Sequence, residues 1–91
     1  MLNYRHLYYF WVATKEGGIA RAAERLDMAV QTVSTQIHTL EAALGHALFK
    51  PSGRSVELTA AGVAALRYAE QIFQLGEQLP LAVREAASSQ G

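Results

Sequence analysis

The chain has 91 residues, 51% of them hydrophobic, with no cysteine and a formal net charge of zero. This length corresponds to one small domain, and the lack of cysteine excludes a disulfide framework and a thiolate metal site. No apolar run approaches the roughly 20 residues of a membrane span, and the aromatic N-terminus lacks a signal-peptide cleavage site, so we expect a cytoplasmic protein. The three histidines are His6, His38 and His46. They are too far apart to form a helix-borne ligand pair, and we predict neither a metal nor a cofactor.

The charge is distributed unevenly along the chain. Residues 1–55 carry six Lys and Arg against four Asp and Glu, a net +2, and residues 56–91 carry two against four, a net −2. A chain without net charge has only weak electrostatic attraction for nucleic acid. The basic half is nevertheless the half that contains the motif described below. Tight binding to DNA would therefore need two copies of the chain, or a larger parent protein.

The first predicted helix begins after Asn3, whose side chain suits an N-cap, and ends at Gly17-Gly18. A buried face is indicated by residues at i, i+3, i+4 and i+7, namely Leu7, Phe10, Trp11 and Thr14. The aromatic residues of this helix could stack on bases, but packing in a core or an interface is favoured for a helix with this period.

A helix-turn-helix is predicted next. Its first helix covers about residues 19–26, a tight turn follows at Asp27-Met28-Ala29, and the second helix covers about residues 30–44 until Gly45 ends it. Helices that cross at this angle need a small residue where they touch, and Ala23 supplies it. The residues expected to face inward are Ala22, Ala23, Leu26, Met28, Val33, Ile37, Leu40 and Leu44.

The outer face of this second helix is polar and uncharged. Residues 30–39 contain no Lys, Arg, Asp or Glu, whereas a solvated helix face is usually rich in Glu and Lys. Such a face suits the edges of base pairs in a major groove. An ordinary helical hairpin with a solvated face has the same spacing and is the alternative. The outer residues are Gln31, Thr32, Ser34, Thr35, His38 and Thr39.

A short β-hairpin, or wing, is predicted after the helix-turn-helix. Residues 47–49 are apolar, residues 50–54 are turn-forming and residues 55–58 alternate. Arg54 at the tip suits a narrow, A·T-rich minor groove. The alternative is an exposed loop arginine without a partner.

Thr59 is expected to cap a long last helix. This helix has more apolar surface than so small a winged domain can cover, which predicts pairing with a second copy. Pro80 lacks an amide hydrogen and clashes with the preceding turn, which predicts a kink or a restart there. The residues predicted to form the dimer contact are Val63, Leu66, Ala69, Ile72, Phe73 and Leu79.

The predicted fold is mainly α with a small β-hairpin. It consists of a winged helix-turn-helix over residues 1–58 and a linker or dimerisation helix over residues 59–87. Residues 88–91 are expected to form a hinge or the end of a fragment.

From residue 4 to about residue 79 the chain resembles the LysR-type transcriptional regulators, and it is most similar to the branch that contains the sodium/proton-antiporter activator. The motifs that carry the resemblance are residues 5–10, 22–26 and 33–37, Leu40-Glu41, Leu44-Gly45, Leu48-Phe49, and Leu58-Thr59 with Gly62. Two positions depart from the family pattern. Ala29-Val30 stands where Ser or Thr followed by Gln is usual, and Pro51 stands where Arg is usual. Both departures remove groups that would contact DNA.

The resemblance implies a domain that binds double-stranded DNA, with a linker helix that pairs antiparallel in a homodimer. It also implies tetramers of the full-length parent and a C-terminal domain that binds a small-molecule or ion effector. The predicted DNA-binding residues are Gln31, Thr32, Ser34, Thr35, Gln36 and His38 in the recognition helix and Lys50, Ser52 and Arg54 in the wing.

The predicted function is that of a sequence-specific DNA-binding domain of a dimeric bacterial transcription regulator. The alternative is a winged-helix protein-interaction module with weak or no DNA binding, which the neutral charge, Val30 and Pro51 favour. An enzyme is not expected, because the sequence has no nucleophile–base pair, phosphate loop or metal cluster. We predict no catalytic residues.

Overall fold

The computed structural model of the chain describes residues 2–50 and 57–90. It contains three short helices, α1 (Tyr4–Glu16), α2 (Ile19–Leu26) and α3 (Val30–Leu44), then strands β1 (Phe49–Lys50) and β2 (Glu57–Leu58) and the long helix α4 (Ala60–Gln90). The strands pair antiparallel, with Phe49 opposite Leu58 and Lys50 opposite Glu57. None of the described helices is long and apolar enough to cross a membrane.

Local side-chain chemistry fixes where the helices begin and end. The Asn3 side chain accepts hydrogen bonds from the backbone amides of Arg5 (2.9 Å) and His6 (3.2 Å), and so caps α1. Gly17 and Gly45 close α1 and α3 with φ of 84° and 78°, a left-handed conformation that glycine adopts at little cost. Asp27 closes α2 with φ 56°. Aspartate is among the few non-glycine residues that tolerate this conformation.

The core lies where α1, α2, α3 and the first half of α4 meet. Its largest fully buried side chains are Phe10, Ile37, Leu40, Leu48 and Val33. Ala22 and Ala23 are almost completely buried between the helices, which agrees with the predicted close crossing of α2 and α3. Leu26 and Met28 are half-buried against this core.

Two predictions about burial were wrong. Leu44 was expected to be buried, but it is 41% exposed, because it lies in the last turn of α3 at the side of an open apolar groove that Leu7 and Leu48 also line. The buried face of α1 was placed on Leu7, Phe10, Trp11 and Thr14, whereas its buried residues are Leu7, Phe10, Val12 and Ala13. The face is broader than the pattern indicated because α1 packs against α2, α3 and α4 at once.

Helix α4 begins at the predicted cap and continues beyond the domain. The Thr59 hydroxyl accepts from the amide of Gly62 (2.9 Å) and donates to the carbonyl of Ala47 (2.6 Å), so it ties the helix start to the segment before β1. Of the predicted kink or restart at Pro80, the restart was wrong, since α4 runs through this residue as one helix, and the kink stays a prediction. Pro80 and its neighbours are exposed. Water can therefore satisfy the carbonyl that loses its amide partner.

Candidate nucleic-acid interface

Helix α3 is anchored along one side and free along the other. Val33, Ile37 and Leu40 are at most 1% exposed and hold the helix against α1 and α2. Of the side chains between these anchors, those of Thr35, His38 and Thr39 are exposed. This arrangement puts the polar strip predicted from the sequence on the surface of the domain.

The exposed strip is formed by side chains at helical spacing. Gln31, Thr35 and His38 are all exposed and recur at i, i+4 and i+7, so they share one face over about 10 Å of helix. Gln31, Thr32, Thr35 and Gln36 line a shallow depression at the N-terminal end of this face. The depression offers amide and hydroxyl groups that can both donate and accept hydrogen bonds.

The remaining polar residues of α3 have more constrained surroundings. Ser34 and Gln36 are half-buried, and the Gln36 Oε1 atom is buried without a hydrogen-bond partner among the described residues. The Thr39 hydroxyl donates to the carbonyl of Thr35 at 3.0 Å. Thr39 is thereby committed to its own helix, whereas the Gln36 amide retains bonding capacity next to the depression.

The start of α3 carries no side-chain cap. Ala29 occupies the N-cap position and makes no side-chain hydrogen bond, as its lack of a hydroxyl predicts. Unsatisfied amides in the first turn of a helix carry a partial positive charge and favour an anion. The N-terminal end of the exposed strip therefore carries a partial positive charge, even though residues 30–39 contain no Lys or Arg.

Glu41 is a residue of this site that the sequence analysis did not identify as functional. One oxygen of its carboxylate lies 3.0 Å from His38 Nδ1. The other accepts from the amides of Leu48 (2.7 Å) and Phe49 (3.2 Å), at the start of the hairpin. Glu41 thus joins the recognition strip to the wing. Its place beside the buried Leu40, in a motif already noted for its resemblance, was the only available signal.

Among the described residues, β1 and α2 carry lysine or arginine side chains. Lys50 is exposed on β1, opposite Glu57. Arg25 on α2 is bonded to Glu16 at 3.1 Å, and Arg21 and Glu24 line the same charged surface. Ser52 and Arg54, like Pro51, lie outside the described residues, and their predicted roles in the wing stay predictions.

The six residues predicted to form a dimer contact do not form one surface. Val63 and Leu79 are 48% and 61% exposed. Leu66, Ile72 and Phe73 are half-buried against the core of their own chain, and Ala69 is fully buried there. The Phe73 ring is stacked on Trp11, with ring centroids 5.0 Å apart. Much of the predicted contact is thus already covered within the chain.

A set of α4 residues that shares only Ile72 and Leu79 with the predicted contact forms a continuous apolar strip, which we call the α4 seam. Its spacing alternates between four and three residues, the pattern of a coiled-coil seam. Tyr68, Leu75 and Leu79 in it are 61–65% exposed. The N-terminal half of the seam borders an apolar groove to which the exposed Leu44 contributes. The α4 seam consists of Ala61, Ala65, Tyr68, Ile72, Leu75, Leu79, Ala82 and Ala86.

Residues 4–63 match the family model described as "Bacterial regulatory helix-turn-helix protein, lysR family". The chain belongs to the LysR family. The family and the fold class predicted from the sequence are both confirmed. The transcriptional activator protein NhaR of Escherichia coli is 44% identical over 78 residues, which are 86% of this chain and 26% of NhaR. The regulator AlsR of Bacillus subtilis is 40% identical over 91 residues, 99% of this chain and 30% of AlsR.

Two solved structures match this LysR-family chain over most of its length. The CbnR_DBD–DNA complex has a TM-score of 0.84 and 39% identity, covering 93% of this chain and 98% of that one. The BenM_DBD complex with catB site 1 DNA has a TM-score of 0.87 and 31% identity, covering 94% and 97%. The chain thus spans about a quarter to a third of the curated relatives and nearly all of the solved domains.

Proposed function

We propose that this chain is the sequence-specific, double-stranded-DNA-binding domain of a dimeric bacterial transcription regulator, with α3 as the recognition helix. The observation that carries the proposal is the exposed, uncharged strip of Gln31, Thr35 and His38 on the second helix of a helix-turn-helix. The similarity to domains solved in complex with DNA supports it. The proposal does not include catalysis. The relatives named above are transcriptional regulators, which supports the proposal that the chain acts in the cytoplasm, where bacterial DNA lies.

The residues of the strip have different proposed roles. Gln31 lies in the first turn of α3, the end that such helices present to base edges, and its amide matches the N6 and N7 atoms of adenine. Thr35, one turn later, offers its methyl group to thymine. Lys50 on β1 approaches a phosphate as a mobile cation. Ser52 and Arg54 are assigned to the wing from the sequence alone, with Arg54 in the minor groove.

Dimerisation is proposed to occur through the α4 seam. If two copies of α4 pair antiparallel about a point between Ile72 and Leu75, Leu79 of one copy lies opposite Tyr68 of the other, and alanines face alanines towards both ends. This pairing removes from water the large apolar side chains that a single copy leaves exposed. It also gives the neutral chain two recognition helices and so doubles its contacts with DNA.

The second candidate function is a protein-interaction module that keeps the dimerising helix but has lost DNA binding. It is favoured by the net charge of zero, because affinity for DNA rests largely on cations that neutralise phosphates. A fluorescence-anisotropy titration with a labelled random-sequence duplex separates the two functions. A DNA-binding domain should bind the duplex, and the binding should weaken strongly between about 50 and 200 mM salt. A folded interaction module should show no salt-sensitive binding to the duplex at any protein concentration.

A further inference from the structure

His38 and Glu41 form a pair on the recognition face that has one exposed and one enclosed member. The His38 side chain is 74% exposed, whereas that of Glu41 is 14% exposed, and the Nδ1 and Oε1 atoms are 3.0 Å apart. His38 is the C-terminal member of the exposed strip formed by Gln31, Thr35 and His38. Its ring is therefore the part of this pair that approaches DNA in the proposed complex.

Glu41 is held in place by groups that do not titrate. Its Oε2 atom accepts from two backbone amides, those of Leu48 and Phe49. A carboxylate that leaves this position loses both hydrogen bonds and leaves two part-buried amides unsatisfied, which is unfavourable. The Oε1 atom is consequently a fixed acceptor next to His38, and the imidazole donates to it through Nδ1.

This fixed acceptor determines whether the Nε2 atom of His38 can donate or only accept a hydrogen bond. A neutral imidazole that donates through Nδ1 has only a lone pair at Nε2, so it is an acceptor there. Half to two-thirds of the hydrogen bonds between proteins and DNA go to phosphate oxygens and sugars, and phosphate oxygens are acceptors as well. An imidazolium donates through both nitrogens, to Glu41 on one edge and to DNA on the other.

We propose that His38 binds DNA as an imidazolium held by Glu41, so that a subunit whose His38 ring is neutral in the free chain takes up one proton when it binds. The inference rests on the proposed function. Glu41 brings a negative charge towards the phosphates, and the protonated ring compensates that charge at 3.0 Å. The neutral ring would leave the carboxylate uncompensated in a site from which DNA displaces water, where charges interact more strongly.

Among the described charged groups near α3, Glu41 is the acid that pairs with His38. On α1 and α2, Glu16 and Arg25 are bonded to each other. Among residues 2–50 and 57–90, no acid other than Glu41 lies within 4.0 Å of a His38 nitrogen, and the hairpin residues Lys50 and Glu57 form no ion pair with another described residue. Protonation of His38 therefore changes the charge of the strip without competing ion pairs.

Two measurable consequences follow from one added proton per subunit. Histidine changes its charge between about pH 5 and 8. Above neutral pH, each subunit's contribution to affinity should thus fall by up to about tenfold per pH unit, the limit for one proton. The protonated ring is also one more cation at the phosphates. The slope of log K against log salt should be steeper by about 0.9 per subunit at low pH than at high pH.

The test uses the whole chain and three variants, His38→Gln, His38→Arg and His46→Gln. Dissociation constants are measured by anisotropy from about pH 6 to about pH 8 at several salt concentrations, on a random-sequence duplex and on a duplex enriched from a random library. His38 is exposed, so its variants should keep the fold, and circular dichroism verifies this. His46→Gln removes another exposed histidine and serves as the matched control.

The DNA affinity of wild type and of His46→Gln should fall as the pH rises, and the slope of log K against log salt should become shallower. His38→Arg, a permanent cation, should bind tightly at every pH, and His38→Gln should bind weakly at every pH. A wild type without pH dependence, or a His38→Gln variant that keeps it, overturns the proposal while leaving DNA binding intact. Absence of binding to both duplexes at every pH overturns the proposed function, and this inference with it.

Discussion

At the scale of single residues, Gln31 is the side chain on which base specificity should depend most. It is exposed at the start of α3 and lines the depression with Thr32 and Thr35. Gln31→Ala should cost about 1–3 kcal/mol of binding free energy on an enriched site and relax the preference at one base pair. Anisotropy titration and library selection measure the two effects. Gln78→Ala, an exposed glutamine on α4, is the control and should change neither. Unaltered base preference in the Gln31 variant would refute the assignment.

Gly62 and Gly76 provide a second test at the same scale, because both are glycines inside α4 with different surroundings. A Cβ built on Gly62 would overlap the backbone carbonyl of Leu48, whereas one built on Gly76 meets nothing within 4 Å. Gly62→Ala should therefore lower the free energy of unfolding by about 1–3 kcal/mol. Gly76→Ala should raise it by about 0.5–1 kcal/mol, as expected in a helix interior. Urea denaturation followed by circular dichroism gives both values, and equal effects would contradict the described packing.

The sequence predicted the residues whose roles are local, and it missed those whose roles depend on tertiary contacts. Asn3 and Thr59 were identified as caps because an N-cap bonds only to amides two or three residues ahead. Glu41 was missed because its partners Leu48 and Phe49 lie seven and eight residues away in a different element. Leu44 continues the apolar period of α3, but periodicity does not reveal that its side chain borders an open groove.

At the scale of elements, the cap of α4 should contribute to stability in a way that a helix-interior threonine does not. The Thr59 hydroxyl bonds to both Gly62 and Ala47. Thr59→Ala should cost about 1 kcal/mol, the usual loss for a removed N-cap. Thr39→Ala removes an exposed threonine whose hydroxyl bonds within α3 and should be nearly neutral. Urea denaturation compares the two variants. A Thr59 variant as stable as wild type would show that the cap contributes nothing.

The α4 seam should hold the dimer together. Leu75→Glu places a charge at its centre, where the side chain is 65% exposed in the single chain, and should convert a dimer into a monomer without unfolding the domain. Gln78→Glu adds the same charge to an exposed position of α4 outside the seam and should leave the dimer intact. Phe73 is unsuitable for this test because it packs on Trp11 and Tyr8 of its own chain.

Sedimentation velocity measures the oligomeric state. The protein concentration should be tens of micromolar, because a dimer with a dissociation constant of about 1 micromolar is populated there. A wild type that sediments as a monomer would contradict the proposal. So would a Leu75→Glu variant that remains dimeric.

The bounds of the helices were predictable, whereas the surface of α4 was not. Asn3, Gly17, Gly45 and Thr59 are local signals for the beginning or end of a helix, and the structure places helix boundaries at each of them. The apolar residues of α4 follow two overlapping patterns, one that covers the domain core and one that forms the seam. Only the position of α1 against α4 distinguishes the two. The predicted dimer contact therefore mixes the core-packed Ala69 and Phe73 with the exposed Leu79.

At the scale of the whole molecule, a small domain carries a helix that extends well beyond it. The chain measures 56 × 27 × 20 Å, and its C-terminal helix leaves Leu75, Leu79, Leu81 and Val83 more than half exposed. Composition and length predicted this imbalance between apolar surface and domain size. The proposed dimer would cover this apolar surface and would give the neutral chain a second recognition helix, so the two proposed properties depend on each other.

The most direct test of sequence-specific binding by a symmetric dimer is selection of the whole chain on a random duplex library at a fixed, stated salt concentration, followed by sequencing. A two-fold symmetric dimer should enrich a pseudo-palindrome, two related half-sites in opposite orientation, and the half-site preference should change in Gln31→Ala. Enrichment of no sequence above the starting library, although the chain is folded and dimeric, would contradict the account and favour the protein-interaction module.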